Sequence, residues 1–257
     1  MYKIVFVRHG QSPWNKEGLF TGWVDAAIEK KGLSDVDLTK RGIKEAISAG
    51  KILKQKGYIF DLAYTSYLER SIKTLQIVLD QMNLMWIPVI KDWKLNERHY
   101  GDLQGLNKKD MAKKVGEERV FLWRRGYAVR PPEIKKTNKY YTKKDPRYKG
   151  VPADELPLTE SLKDVVDRVV PYWKKVITKQ IKAGKSIVIS AHGNSLRAII
   201  KYLDNIPDAE IPFMNIPTGV PLVYELDKNL KPIKHYYLGD PETIAKLEEK
   251  VRKQGRI

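Results

Sequence analysis

Two stretches of the chain repeat one chemical pattern: "VFVRHGQS" at residues 5–12 and "VISAHGNS" at residues 188–195. In each, an apolar run meets a histidine, a glycine, an amide and a serine. The chain has four histidines, His9, His99, His192 and His235, and two of them stand in this context. A single histidine at a strand end is commonly structural, but a matched pair that one sheet edge brings together is a catalytic arrangement. Arg8 beside His9 adds a guanidinium suited to bidentate phosphate binding and to stabilising developing phosphoryl charge. A neutral imidazole is a competent nucleophile toward phosphorus, so "RHG" at a strand end points to a phosphohistidine intermediate. Gly10 and Gly193 are expected to let the backbone approach an anion closely, with N–H donors supplied by the helix N-termini that follow. Ser12 either binds phosphate through its hydroxyl or caps the next turn.

The elements that would position these residues alternate. Residues 2–7 read as a buried strand, and 37–57 as a helix capped by Thr39 and ended by Gly57. A second strand is expected at 60–66, a helix at 68–82, a short extended piece at 86–93 and helical patterns over 107–125. Residues 127–158, rich in Pro, Lys and Tyr, read as a long inserted loop, a length that is usually functional or disordered. A long helix is expected over 161–184 with a kink at Pro171. A strand into His192, a helix over 195–205, a hairpin turning at Lys228 and Asn229, and a charged C-terminal helix complete the chain. This alternation predicts one α/β domain over residues 1–257, doubly wound around a largely parallel sheet. Ligands of such sheets bind beyond the carboxyl ends of the strands, where both histidines would lie.

Composition narrows the classes. The 257 residues are 42% hydrophobic, enough for a sizeable core, and no run approaches the length of a membrane span. The chain enters "YKIVFV" without the pattern of a secretory signal, so a cytoplasmic protein is expected. The absence of cysteine excludes thiol catalysis and disulfides. A net charge of +17 attracts polyanions. The densest basic stretch, residues 135–149, holds seven basic residues and one acidic one, but no nucleic-acid-binding motif accompanies it. Neither nucleic acid nor a membrane is an expected partner. No HExxH or carboxylate cluster has metal-ligand spacing, and no metal is expected.

"VRHGQSPWNKEGLFTGW", "FDLAYTSYLERSIKTL", "KLNERHYGDLQGLNK", "WRRGY", "DPRY", "HGNSLRAIIKYLD" and "NIPTGVPLVYEL" span nearly the whole chain. Through them it resembles the cofactor-dependent phosphoglycerate mutases of the histidine phosphatase superfamily. The resemblance implies a three-layer sandwich, a mostly parallel sheet flanked by helices. It also implies glycolytic and gluconeogenic interconversion of 3-phosphoglycerate and 2-phosphoglycerate, primed by 2,3-bisphosphoglycerate, in a homodimer or homotetramer. On the matching positions His9 is the phosphoryl acceptor and Glu97 the acid and base toward the substrate hydroxyl. His192, Arg8 and Arg70 stabilise the transferring phosphoryl group, helped by Asn15 and the backbone around Gly193 and Asn194. Thr21, Gly22, Tyr100, Lys108, Arg124 and Arg125 match substrate-binding positions. A bisphosphoglycerate carries about −4 to −5 charge, which Arg8, Arg70, Lys108, Arg124 and Arg125 would meet. On the residues alone Glu97 could equally pair with Arg98, and His99 and His235 read as structural.

The chain departs from that pattern in three places. The link between Trp23 and Leu38 is about ten residues longer than the family's, and the insertion, Val24 to Ser34, is expected to face solvent, since loops tolerate added length. Gln11 stands where Glu is more frequent, and Gly126 where Ser is usual. A Ser at position 12, which is often Gly in relatives that mainly make or degrade bisphosphoglycerate, favours isomerisation. The competing classes are a phosphatase on the same fold and a basic nucleic-acid-binding protein. The first would share both histidine stretches without needing "NERHYGDLQGLNK", and the second would need neither.

Overall fold

Alternation in "YKIVFVR" sets the layering. Successive side chains of a strand point to opposite faces, and the buried Ile4 and Phe6 join one core while Val5 and Val7 join another. A computed structural model describes residues 1–24, 37–142 and 145–253. Its sheet consists of β1 (Tyr2–Arg8), β2 (Leu62–Thr65), β3 (Val89–Lys91), β4 (Ile187–Ala191), β5 (Pro221–Leu226) and β6 (Pro232–Tyr237). The strand order is β3-β2-β4-β1-β5-β6. The first four in that order run parallel, while β5 and β6 form the expected hairpin and run antiparallel to their neighbours. The sheet is therefore mixed, with β4 and β1 at its centre.

Helices cover both faces. The Val5 face packs against α2 (Lys40–Gln55) and α3 (Glu69–Gln81) through Ala49, Leu53, Leu75, Val78 and Leu79. The Phe6 face packs against α6 (Leu162–Tyr172), α7 (Thr178–Lys182) and α8 (Gly193–Leu203) through Val165, Val169, Ile181, Leu196 and Ile199. This is the three-layer arrangement expected. Thr39 caps α2 by accepting from the Gly42 N–H, and Gly57, at φ 72°, follows its end. Between α6 and α7 lies a π-helical segment, Trp173–Ile177, in place of a simple kink at Pro171. Proline lacks the N–H that would continue the ladder, and a π segment is one way for the register to recover.

The remaining helices are α1 (Pro13–Glu17), α4 (Lys108–Val115), α5 (Glu117–Arg125) and α9 (Pro241–Lys253). The 107–125 pattern is broken in two by Gly116, at φ 90°. The long segment after Tyr127 has little regular structure but is anchored. Ile134 and Tyr140 pack with Trp14, and Tyr148 and Leu156 pack with Trp23 and Trp93. Val24, expected to face solvent, is instead buried at 1% exposure in the Trp14 cluster. Its apolar side chain packs in the cluster of Trp14, Ile134 and Tyr140. Residues 25–34, the rest of the expected insertion, lie outside the described residues. Among the described residues no helix is long and apolar enough to cross a membrane.

Candidate active site

The parallel pairing of β1 with β4 sets Arg8 opposite Ala191, and the His9 N–H donates to the Ala191 carbonyl at 3.0 Å. Both strands therefore release their histidines at one edge of the sheet. The two rings lie 5.0 Å apart, centroid to centroid. His9 is 2% exposed, and its Nδ1 lies 2.8 Å from the Gly10 carbonyl oxygen. A carbonyl only accepts, so Nδ1 carries the proton and Nε2 keeps its lone pair for attack. Burial, then Arg70 and Arg8, hold the His9 pKa well below the usual histidine value. The neutral, nucleophilic form is thus the resting form near pH 7.

His192 N-caps α8 and bonds through Nε2 to Ser66 Oγ at 2.7 Å. Ser66 Oγ also accepts from the Leu68 N–H at 3.1 Å and keeps a proton and a second lone pair for Nε2. His192 Nδ1 is a buried atom with no partner among the described residues. Arg8 donates from Nη1 to the Ile216 carbonyl at 2.7 Å, while its buried Nε is unpartnered. Thr21 Oγ1 is a third such atom. Unsatisfied buried polar groups are costly, and Arg8 and Thr21 line the same cavity beside His9. An oxyanion there would accept from these groups, so the residues present fit a phosphoryl group.

Glu97 stands across this cavity. Its Oε1 accepts from the backbone N–H groups of Arg98, at 2.8 Å, and Asn194, at 3.0 Å. The Asn194 N–H therefore orients the carboxylate, whereas the sequence assigned this backbone to a phosphate. Gly193, the first residue of α8, lies between Arg8 and Glu97. A Cβ there would sit 3.5 Å from the Arg8 guanidinium and 3.6 Å from Glu97 Oε2, inside the cavity. Gly10 is different: its Cβ would fall 2.3 Å from the Gly42 carbonyl, so its lack of a side chain serves the packing of α2 on the strand end. The expectation that Gly10 admits an anion is corrected by that contact.

Four further cations share the cavity with Glu97. Lys108, Arg124, Arg125 and Arg197 line the cavity with Tyr100 and Asn194. Tyr100 Oη accepts from Arg98 at 3.0 Å and lies 3.4 Å from Asn194 Nδ2. Arg125 is held by Met214 and Asn215, and Arg197 by Asn194 Oδ1 at 2.9 Å. Burial first, and then Arg124, Arg8 and Arg125, push the Lys108 ammonium well below its ordinary pKa. Burial and then Arg124 bring Arg125 to about 9. With Arg8 and Arg70, the lining carries six cations against the single carboxylate of Glu97. Such crowding is relieved by a multiply charged anion.

Of the residues singled out in the sequence, Arg8, His9, Asn15, Thr21, Gly22, Arg70, Glu97, Tyr100, Lys108, Arg124, Arg125, Gly193 and Asn194 all line this cavity. His192 stands behind His9. Gly22 contributes its carbonyl, which accepts from Arg70 Nη2 at 2.8 Å, and Arg70 Nη1 reaches the Val24 carbonyl. Ser12 is fully buried outside the lining and caps α1, accepting from the Asn15 N–H at 3.2 Å while Asn15 Oδ1 accepts in return. Sequence reasoning missed Arg197, although it lies within "HGNSLRA", and Val251 of α9, which closes one side of the cavity. It also missed Ser66, although it lies within "FDLAYTSYLERSIKTL". His99 is structural as expected: its Nδ1 accepts from the Gly101 N–H and its Nε2 bonds Thr142.

A family model described as the histidine phosphatase superfamily (branch 1) matches residues 4–144 and 133–237. The chain is similar to the solved structure of a mycobacterial glucosyl-3-phosphoglycerate phosphatase in complex with VO3. The TM-score is 0.67 at 20% identity, covering 92% of this chain and 97% of that one. It is likewise similar to a protein from Escherichia coli described as a putative alpha-ribazole-5'-P phosphatase, with a TM-score of 0.65, 20% identity and coverage of 93% and 98%. The alpha-ribazole phosphatase of Shigella flexneri matches at a TM-score of 0.65 and 20% identity, over 92% of this chain and 96% of that one. These likenesses carry the fold.

Proposed function

This chain belongs to the histidine phosphatase superfamily, branch 1, and from that premise we propose that it interconverts 3-phosphoglycerate and 2-phosphoglycerate through a phosphohistidine at His9. One observation carries the reading beyond the superfamily. Arg8 and Arg70 bear electrostatically on His9, and the same cavity holds four further cations, Lys108, Arg124, Arg125 and Arg197. Transfer of one phosphoryl group needs only the first pair. The other four suit a substrate that keeps a carboxylate and a further phosphate bound.

In the first step the His9 Nε2 lone pair attacks phosphorus and the bond to the ester oxygen breaks. Arg8, Arg70, Asn15 and His192 stabilise the oxygens around phosphorus as charge redistributes. Glu97 Oε2 takes a proton from the hydroxyl that attacks the phosphohistidine and gives it to the ester oxygen that departs when His9 is next phosphorylated. Arg8 and Arg70, with Lys108, Arg124, Arg125 and Arg197, would hold 2,3-bisphosphoglycerate, which would supply the phosphoryl group that charges His9. No residue in this sequence of events requires a metal.

A phosphatase is the second reading, favoured by the printed names of the similar solved structures. It uses the same first step, with water in place of the second hydroxyl. The test incubates the protein with labelled 2,3-bisphosphoglycerate and follows both the label and the two monophosphoglycerates. Acid-labile phosphate on the wild type, none on His9→Ala, and isomerisation faster than phosphate release are expected. Release exceeding isomerisation would make the chain a phosphatase. Full labelling of His9→Ala would overturn both.

A further inference from the structure

We propose that Arg168, paired with Glu160, is a positioning residue that fixes the Glu97 carboxylate for proton transfer. This rests on the reading of Glu97 as the acid and base. Arg168 lies on α6, outside the cavity lining, with its side chain 7% exposed. Its guanidinium spends every donor on two partners. One edge forms a fork with Glu160, Nε to Oε1 at 2.8 Å and Nη2 to Oε2 at 2.9 Å. The other reaches the backbone that carries Glu97: the Lys94 carbonyl at 2.7 Å, those of Trp93 and Asn96 at 3.3 Å, and that of Glu97 itself at 3.4 Å.

Glu160 grips the same segment from its far end. Its Oε2 accepts from the His99 N–H at 2.8 Å, and its own N–H donates to the His99 carbonyl at 2.8 Å. Trp23 Nε1 also donates to the Glu97 carbonyl, and the Arg168 guanidinium lies over the Trp23 and Trp93 rings. Residues 93–99 form no regular element beyond the short turn Trp93–Leu95, so no ladder of their own fixes Glu97. The clamp replaces that ladder. A planar fork with five donors is needed to reach a carboxylate and four carbonyls together, which an ammonium cannot do.

The test measures kcat, KM, the solvent deuterium isotope effect on kcat, inhibition by orthovanadate and thermal stability in Arg168→Lys and Glu160→Gln. A misplacement of the proton shuttle by about 1 Å should lower kcat of Arg168→Lys by about 100-fold. KM and vanadate affinity, which report the cations and His9, should stay within about twofold, since the clamp touches neither. The isotope effect should rise, because proton transfer becomes slower than the steps that masked it. Glu160→Gln keeps an acceptor for His99 and should move the same readouts less, which serves if Arg168→Lys fails to fold. A folded variant with kcat near wild type, or a loss of kcat with an unchanged isotope effect, would overturn the proposal. A wild type without isomerase turnover fails the mutase reading and leaves the clamp to be judged on hydrolysis of an alkyl phosphate monoester. Its poor leaving group needs the same proton.

Discussion

Gly193 shows what a single atom decides at this site. Its missing Cβ leaves open the space between the Arg8 guanidinium and Glu97 Oε2, at 3.5 and 3.6 Å from where that atom would sit. Those are ordinary contact distances, so Gly193→Ala should fold with a melting temperature close to wild type. The methyl group would then occupy room that a phosphate or its leaving oxygen needs. KM should rise by at least about 10-fold, equivalent to about 1.4 kcal/mol of binding, and steady-state kinetics with thermal melting would check it. An unchanged KM would mean that substrate passes elsewhere. At this scale the sequence was legible wherever a residue's chemistry and its strand-end position coincided, as for Arg8, His9, His192 and Gly193. It misled where one residue type serves two purposes. Gly10 and Ser12 look like phosphate ligands in "RHGQS", yet one admits a helix and the other caps one. Nothing local separates these uses, since both need small or hydroxylated residues at a turn.

Elements were read more reliably than their joints. The strands that carry both histidines and the helix capped by Thr39 follow from periodicity and punctuation alone. The start of α8 at Gly193, earlier than the apolar pattern requires, was not legible, and it is what brings the Asn194 N–H to Glu97. Nor was the contact of α2 with the strand end. Gly42 presents its backbone to Gln11, and a Cβ there would lie 2.2 Å from the Gln11 carbonyl oxygen. Both partners are backbone and cannot swing aside. Gly42→Ala should therefore force α2 away from the loop after His9 despite alanine's better helix propensity. Overpacking of this kind costs about 1–3 kcal/mol. Urea unfolding should show a lowered midpoint, and any retained activity should fall as the His9 turn shifts. A stabilised protein would mean that the helix slides along the sheet without cost.

Across the whole molecule, charge ties folding to ligand. The +17 formal charge is expressed at the site as cations that burial and mutual repulsion hold below their ordinary pKa values. Three buried histidines behave alike. His9 and His192 are held well below the usual value by burial and then Arg70, and His99 is lowered to about 3 by burial and then Arg168. A histidine with a folded pKa below its unfolded one binds more protons when unfolded. Its contribution to stability is complete above about pH 6.5 and is lost as the pH falls toward the folded value, at up to about 1.4 kcal/mol per pH unit. All three act in the same sense, so their contributions fall together as the pH drops below about 6.5. Carboxylates such as Asp164, lowered to about 2 by the Arg130 and Ser161 contacts that outweigh its burial, act in the same sense only at lower pH. Urea midpoints taken from pH 7 to pH 5 should therefore fall steeply in the absence of phosphate. Orthovanadate, placed against His9 and His192, would favour their charged forms and should flatten that slope while taking up protons on binding. A flat profile without ligand would mean that these imidazoles are not held neutral, and with it the nucleophile's lone pair at rest would be lost.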